Sequence, residues 1–179
     1  MEQVVVVDNS GRPLRSEEKI RAHAGGGVLH LAFCILVFNS EGELLLQRRA
    51  DGKYHFSSLW SNTCCGHPRP GEAVTAAAER RLGEELGFTT ALRPVTHFIY
   101  HAEDPCSGLA EREYAYVLIG RARGEQPAPD PQEVGSWQWV APVAVRAAVA
   151  HQPESYTPWF RRLLCEQPVT EWAAGEGCT

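Results

Sequence analysis

The chain predicts an α+β fold, a mixed β-sheet layered between α-helices, and three observations carry that expectation. Short runs rich in β-branched and aromatic residues recur from Val4 to Val140, with clusters of Gly, Pro, Asn, Asp and Ser between them. Helical stretches interrupt these runs without the regular strand–helix–strand alternation of a doubly wound nucleotide fold. With 179 residues, 44% of them hydrophobic and 22% charged, the chain has the size and composition of one ordinary core, so residues 1–179 are read as a single domain.

The elements follow in order. Val4 to Asp8 reads as a short strand, and Asn9-Ser10-Gly11-Arg12-Pro13 as a turn leading to a helix capped at Ser16 and ending near His23 and Gly25. Leu29 to Phe38 and Glu43 to Arg48 flank the turn Asn39-Ser40-Glu41-Gly42 and read as a hairpin whose second strand delivers Arg48 and Arg49. The segment Asn62-Thr63-Cys64-Cys65-Gly66-His67-Pro68 is too dense in turn-forming and reactive residues for a simple core strand. From Glu72 to Leu86, Ala76, Ala77, Ala78, Leu82 and Leu86 recur at helical intervals, and Gly87 is a stop. Val95 to His101, Glu113 to Ile119 and Ser136 to Val140 read as strands, with Asp104 to Gly108 as the loop between the first two. Pro142 to Ala150 and Tyr156 to Leu164 read as helices, Glu125 to Glu133 as a surface connection, and the residues after Trp172 as loose.

Composition also bounds the partners. A net charge of −5 gives no basic footprint for nucleic acid, although a small anionic substrate needs only a few local cations. No apolar run reaches the roughly 18 residues of a membrane helix, so no membrane partner is expected. Acidic Glu2 before Val4 to Val7, without a basic region or a small-residue cleavage site, is unlike a secretory leader, and a cytoplasmic address is the expectation. Six cysteines are too few for a disulfide scaffold of this length, so reduced thiols are expected.

Chemistry concentrates in one spaced pattern. Gly66 is followed after five residues by Glu72, and after seven more by Arg80-Arg81-Leu82-Gly83-Glu84-Glu85-Leu86-Gly87-Phe88. The pattern resembles the Nudix box, G-x5-E-x7-R-E-U-x-E-E-x-G-U with U apolar, at every fixed position but one. Arg81 and Glu85, four apart on a helix, share one face, which would set a guanidinium beside a cation held by Glu85 above a bound diphosphate. The exception is Arg81 itself, which stands where the box has a glutamate. Losing that carboxylate weakens metal-assisted hydrolysis, whereas an arginine there still grips a diphosphate. Hydrolysis of a nucleoside diphosphate derivative is the rival reading of the box alone; a structural-metal protein or a binding module is the rival outside catalysis.

Further blocks extend the resemblance over nearly the whole chain. His23 and His30 around Leu29-His30-Leu31-Ala32-Phe33, Cys65-Gly66-His67-Pro68 after Trp60 and Asn62, and Glu111-Arg112-Glu113 are similar, in the same order, to blocks of the type I isopentenyl-diphosphate isomerases, a Nudix-fold family. That resemblance implies a Nudix-type sheet and action on a small-molecule diphosphate, and a monomer is the expectation. It implies a metal site of His23, His30, His67, Glu111 and Glu113, taking Mn2+ or Mg2+, with Zn2+ as another occupant. Glu111 and Glu113 suit this, since period two puts both on one strand face. It also implies Mg2+ at Glu85 shared with the diphosphate. Lys19, Arg49, Lys53 and Arg81 align with the family's diphosphate-binding cations. His55, His97, His101 and His151 match no ligand position.

Moving an unactivated double bond needs one proton delivered and another removed, through a tertiary cation or something close to it. The resemblance assigns the proton-handling pair to Cys65 and Glu113, with Tyr100 beside Glu113 as a relay and the order of action open. Trp159 matches a tryptophan whose indole face would stabilise the developing cation. Read as residues alone, Cys65 is equally an inert buried thiol and Trp159 equally a packing residue.

Overall fold

The computed structural model describes residues 2–175. Its strands are β1 (Gln3–Val7), β2 (Pro13–Glu18), β3 (His30–Phe38), β4 (Leu44–Arg49), β5 (Trp60–Ser61), β6 (Cys64–Gly66), β7 (Leu92–Glu103), β8 (Ala110–Arg121) and β9 (Val134–Val140). Its helices are α1 (Lys19–His23), α2 (Val74–Leu86), α3 (Pro142–His151), α4 (Pro158–Glu166) and α5 (Val169–Ala174).

β3 organises the sheet. It runs parallel to β8 from His30↔Glu113 to Phe38↔Arg121, and β8 in turn pairs antiparallel with β7. Every residue of β3 is buried, which a continuous apolar run such as His30-Leu-Ala-Phe-Cys-Ile-Leu-Val-Phe38 permits only when both faces are covered. The two faces separate by parity. Ala32, Cys34, Leu36 and Phe38 pack with Val145, Val149, Trp159, Phe160, Leu163 and Trp172 of α3, α4 and α5. Phe33, Ile35 and Val37 pack against Ala77, Ala78, Leu82 and Leu86 of α2. The expected mixed sheet between helical layers is therefore the observed architecture.

β3 and β4 form the predicted hairpin only at its base, at Phe38↔Leu44, with Asn39 Oδ1 accepting the Glu41 and Glu43 amides in the turn. Beyond that bridge they part. β6 pairs along β3 through Phe33↔Gly66, Cys34↔Cys65 and Ile35↔Cys64, and β5 pairs with β4. The strand split leaves Arg49 at the end of β4 and Cys65 on β6 along one cleft.

The helix expected from Ser16 is corrected to a strand. Pro13–Glu18 pairs with β1, with Ser16 opposite Val5, and only Lys19–His23 is helical. The turn between them is closed by Asp8, whose Oδ1 accepts the Ser10 and Arg12 amides, so it folds the chain back instead of starting a helix. α2 begins at Val74, two residues inside the predicted span, and ends at Gly87 with φ 72°. A Cβ on Gly87 would meet the Ala128 carbonyl oxygen at 2.5 Å, so the last glycine of the box is fixed by both backbone angle and space. The end of the chain differs as well. Ala173 and Ala174 complete α5, and the carbonyls of Trp172 and Ala173 accept from Arg121, whereas residues 176–179 lie outside the described part.

Candidate active site

Register builds the site. On β8, Glu111 and Glu113 share a face with Ala115 and Val117, the side covered by α3 to α5. Glu113 stands opposite His30 of β3 on one side and opposite Tyr100 of β7 on the other. One row across three strands thus reads His30, Glu113, Tyr100, and the Tyr100 hydroxyl donates to Glu113 Oε2 at 2.6 Å. His67, just beyond β6, brings Nε2 to 2.9 Å from Glu113 Oε1 and 3.1 Å from His30 Nε2. From α1, His23 Nε2 lies 3.3 Å from Glu111 Oε2.

Backbone carbonyls set the imidazoles. His23 Nδ1–H donates to Lys19 O at 2.6 Å and His30 Nδ1–H to Val28 O at 2.8 Å, which leaves both Nε2 lone pairs facing inward. Among the buried side-chain atoms without a hydrogen-bond partner are His23 Nε2 and Glu111 Oε2. One ligand atom from each of His23, His30, His67, Glu111 and Glu113 falls within 4.8 Å of all the others. Facing lone pairs and orphaned buried donor atoms are what a cation between them would satisfy, so this group could hold a divalent metal ion.

The electrostatics of His30 and His67 agree with a ligating state. Burial, then the neighbouring His23, pulls His30 down to about 4, and burial with His30 beside it holds His67 well below the usual histidine range. Both imidazoles are therefore neutral, the form that binds metals. Burial opposes ionisation of Glu111, yet the adjacent His23 and His55 imidazoles outweigh it and keep that carboxyl well below its ordinary value. Glu113 moves the other way, raised well above the carboxylate range by burial and by the Glu111 charge. Burial, then the Glu113 carboxylate, also pushes the Tyr100 hydroxyl up.

Cys65 lines the same cleft with Glu113, Tyr100 and Trp159. Asn62 is locked by donating to the Ile35 and Cys64 carbonyls, and its Oδ1 lies 3.2 Å from Cys65 Sγ, where it can accept the thiol proton. Cys34 Sγ lies 3.6 Å away across the β3–β6 pair. Trp159 is buried, donates its indole N–H to Ser61 Oγ at 3.0 Å, and carries the Arg49 guanidinium 5.5 Å from its ring centre.

Cations border the cleft. Lys19, Arg49, Lys53 and Arg81 all line it, together with Glu85. Arg81 donates to Glu85 Oε1 at 2.5 Å and to Glu133 Oε1 at 3.1 Å, Lys53 pairs with the other oxygen of Glu133, and Lys19 pairs with Glu2 at 3.0 Å. The strand split also lets Gln47 reach from β4 to Thr63 O and Glu85 Oε2, both at 2.9 Å. Gly66 of the box fits because a Cβ there would strike Phe33 Cζ at 2.9 Å and crowd Arg81 Cγ at 3.2 Å.

Every site residue expected from the sequence lies in this cleft or the cluster beside it. Three contacts add what the sequence does not display. His55, set aside as matching no ligand position, is buried and hydrogen-bonds Glu111 through Nε2. Glu133, at the end of the surface connection, couples Lys53 to Arg81, and burial is overcome by Lys53 to bring its carboxyl to about 2. The Nudix-box residues Glu72 and Arg80 are bound to each other, Arg80 Nε to Glu72 Oε1 at 2.8 Å and Nη2 to Oε2 at 2.9 Å. The signal for His55 and Gln47 lies in tertiary contacts that no local spacing displays.

The NUDIX domain family model matches residues 28–160. The chain is 69% identical over 175 residues to the isopentenyl-diphosphate Delta-isomerase of Halorhodospira halophila, covering 98% of this chain and 100% of that one. It is 47% identical over 174 residues to isopentenyl-diphosphate Delta-isomerase 2 of Photorhabdus laumondii, covering 96% and 97%. Among solved structures, a Deinococcus radiodurans protein superposes with a TM-score of 0.74 at 20% identity, over 93% of this chain and 100% of that one. The MutT protein of Methanosarcina mazei gives 0.63 at 18% identity, over 84% and 96%. These two likenesses concern the fold alone, whereas near full-length identity adds the finer grouping: the chain belongs to the isopentenyl-diphosphate Delta-isomerase family of NUDIX-domain proteins.

Proposed function

We propose that this chain interconverts isopentenyl and dimethylallyl diphosphate, with Cys65 and Glu113 as the two proton-handling groups. The observation that carries the reading is the cleft itself: a thiol, a hydrogen-bonded Glu113–Tyr100 pair and an indole stand together in it, bordered by four cations. Lys19, Arg49, Lys53 and Arg81 are suited to the diphosphate, which would displace Glu2 and Glu133 as their counter-ions. Arg81, where the Nudix box carries a glutamate, supplies a diphosphate contact in place of a hydrolytic metal ligand.

With the diphosphate held there, the alkene occupies the inner cleft between Cys65, Glu113 and Trp159. Conversion of the isopentenyl ester adds a proton to its terminal methylene carbon, making a methyl group, and removes one from the carbon next to the one bearing the diphosphate. The diphosphate bond is untouched. Because the reaction is reversible, the group that donates in one direction accepts in the other, so Cys65 and Glu113 exchange roles between directions. Glu113 is hydrogen-bonded to Tyr100 and Asn62 orients the Cys65 thiol, so the two groups face the alkene as donor and acceptor in either order. The Trp159 face stabilises positive charge at the tertiary carbon, and the buried surroundings keep water from capturing it.

His23, His30, His67, Glu111 and Glu113 would hold Mn2+ or Mg2+, a set that also suits Zn2+, and Glu85 would hold Mg2+ shared with phosphate oxygens. Bound there, a divalent ion supplies positive charge that fixes the paired carboxylates and sets the acidity of Glu113. The reading takes residues 1–179 as one domain acting as a monomer; among the described residues no helix is long and apolar enough to cross a membrane.

The test is conversion against cleavage. With isopentenyl diphosphate and Mg2+, the protein should generate an acid-labile allylic diphosphate and release no inorganic phosphate or diphosphate. Phosphate release without allylic product would replace isomerisation by hydrolysis.

A further inference from the structure

We infer that His55 is a positioning residue of the metal centre, its Nε2–H holding Glu111 Oε1 so that the other carboxylate oxygen is turned to the ion; this rests on the metal reading of the His/Glu cluster. Glu111 is buried, and its two oxygens have different surroundings. Oε1 is hydrogen-bonded to His55, whereas Oε2 has no hydrogen-bond partner although it lies 3.3 Å from His23 Nε2. A ligating carboxylate pinned through one oxygen presents the other in a fixed direction, and such outer partners govern how well a site holds its ion.

The loop is built to deliver this ring. Phe56, next to His55, has φ 47°, a left-handed conformation that a bulky residue adopts only when its surroundings impose it. Those surroundings are specific. Asp104 Oδ2 accepts the Phe56 amide at 3.2 Å, and Arg49 donates to the carbonyls of both His55 and Phe56 at 3.0 Å. Tyr54 stacks on the imidazole with ring centres 4.4 Å apart, and the His55 ring lies 5.6 Å from that of His23. Arg49 also borders the cleft where the diphosphate is proposed to lie, so one side chain braces the His55 loop and faces substrate.

The experiment is a Mn2+ titration of the metal-free full chain without any diphosphate, free Mn2+ being followed by electron paramagnetic resonance. His55→Phe keeps an aromatic ring and loses the donor; His55→Gln keeps a donor near the position of Nε2. Circular dichroism establishes that each variant is folded. His55→Phe should weaken Mn2+ binding by about 10- to 100-fold, and His55→Gln should regain most of the affinity. Wild-type affinity in His55→Phe would reduce the ring to packing, and a His55→Gln variant as weak as His55→Phe would make His55 a direct ligand; either result overturns the inference. Should His55→Phe fail to fold, His55→Gln decides alone, retained affinity supporting the role and a loss of about tenfold or more overturning it. No Mn2+ binding by the wild type would instead overturn the metal reading on which the inference rests.

Discussion

At the scale of single residues, the proposed chemistry depends on what each side chain is held by. The Cys65 thiol lies beside an Asn62 carbonyl that is itself locked by two backbone carbonyls, so its orientation is built into β6 and the segment before it. Cys65→Ala should lower turnover by about 100-fold or more, the scale of a positioned proton-transfer group, while leaving the melting temperature nearly unchanged. Steady-state kinetics beside a thermal melt checks this, and retained activity would remove Cys65 from the mechanism. Trp159 presents a buried indole beside Tyr100 and Phe56, with ring centres 6.3 and 5.3 Å away. Trp159→Phe keeps an apolar ring but weakens the face that would meet a cation, so kcat should fall about tenfold with KM little changed. An unchanged kcat would leave Trp159 a packing residue.

Between elements, the Nudix box divides into parts that touch the cleft and parts that hold α2 in place. Glu72 accepts two bonds from Arg80 and the Arg69 amide, which ties the loop before α2 to the exposed side of the helix. The Arg80 hydrogen bond first, then the Arg69 amide, holds the Glu72 carboxyl at about 2, against 4.5 for an unperturbed glutamate. A depressed folded pKa contributes stability that is complete above about 4.5 and is lost as the pH falls toward 2. Because the pair meets solvent, the contribution should stay below about 1 kcal/mol. Denaturant titrations between pH 5 and 2.5 should show a shallower loss of stability in Glu72→Gln than in the wild type, and identical slopes would contradict the assignment. The same scale shows what the sequence could and could not display. Helical spacing identified α2, and period two placed Glu111 and Glu113 on one face, because those patterns are local. Ser16 resembles a helix start in sequence because a polar Ser-Glu-Glu run carries no trace of its pairing with Val5. His55 and Glu133 reach their partners 56 and 80 residues away in sequence, through a loop whose path is set by tertiary bonds, so neither had a local signature.

Across the whole molecule, a sheet covered on both faces and split between β3 and β4 brings together residues from β3, β4, β6, β7, β8 and three helices. α4 supplies Trp159, α2 supplies Arg81 and Glu85, and α1 supplies Lys19 and His23, so the cleft exists only when both helical layers are in place. The metal cluster lies beside two large apolar cores and does not replace them. Chelation should therefore give a folded but inactive protein, with far-UV circular dichroism retained and activity restored by Mn2+ or Mg2+; unfolding on chelation would assign the ion a structural role. The central claim is that one proton is added to the alkene and another removed while the diphosphate stays intact. Proton NMR of the protein with isopentenyl diphosphate and Mg2+ in deuterated water tests it most directly. The account predicts growth of dimethylallyl signals with deuterium entering the new methyl group and no phosphate released. An alkene that remains unchanged, or a dimethylallyl product formed without any uptake of deuterium, would contradict it.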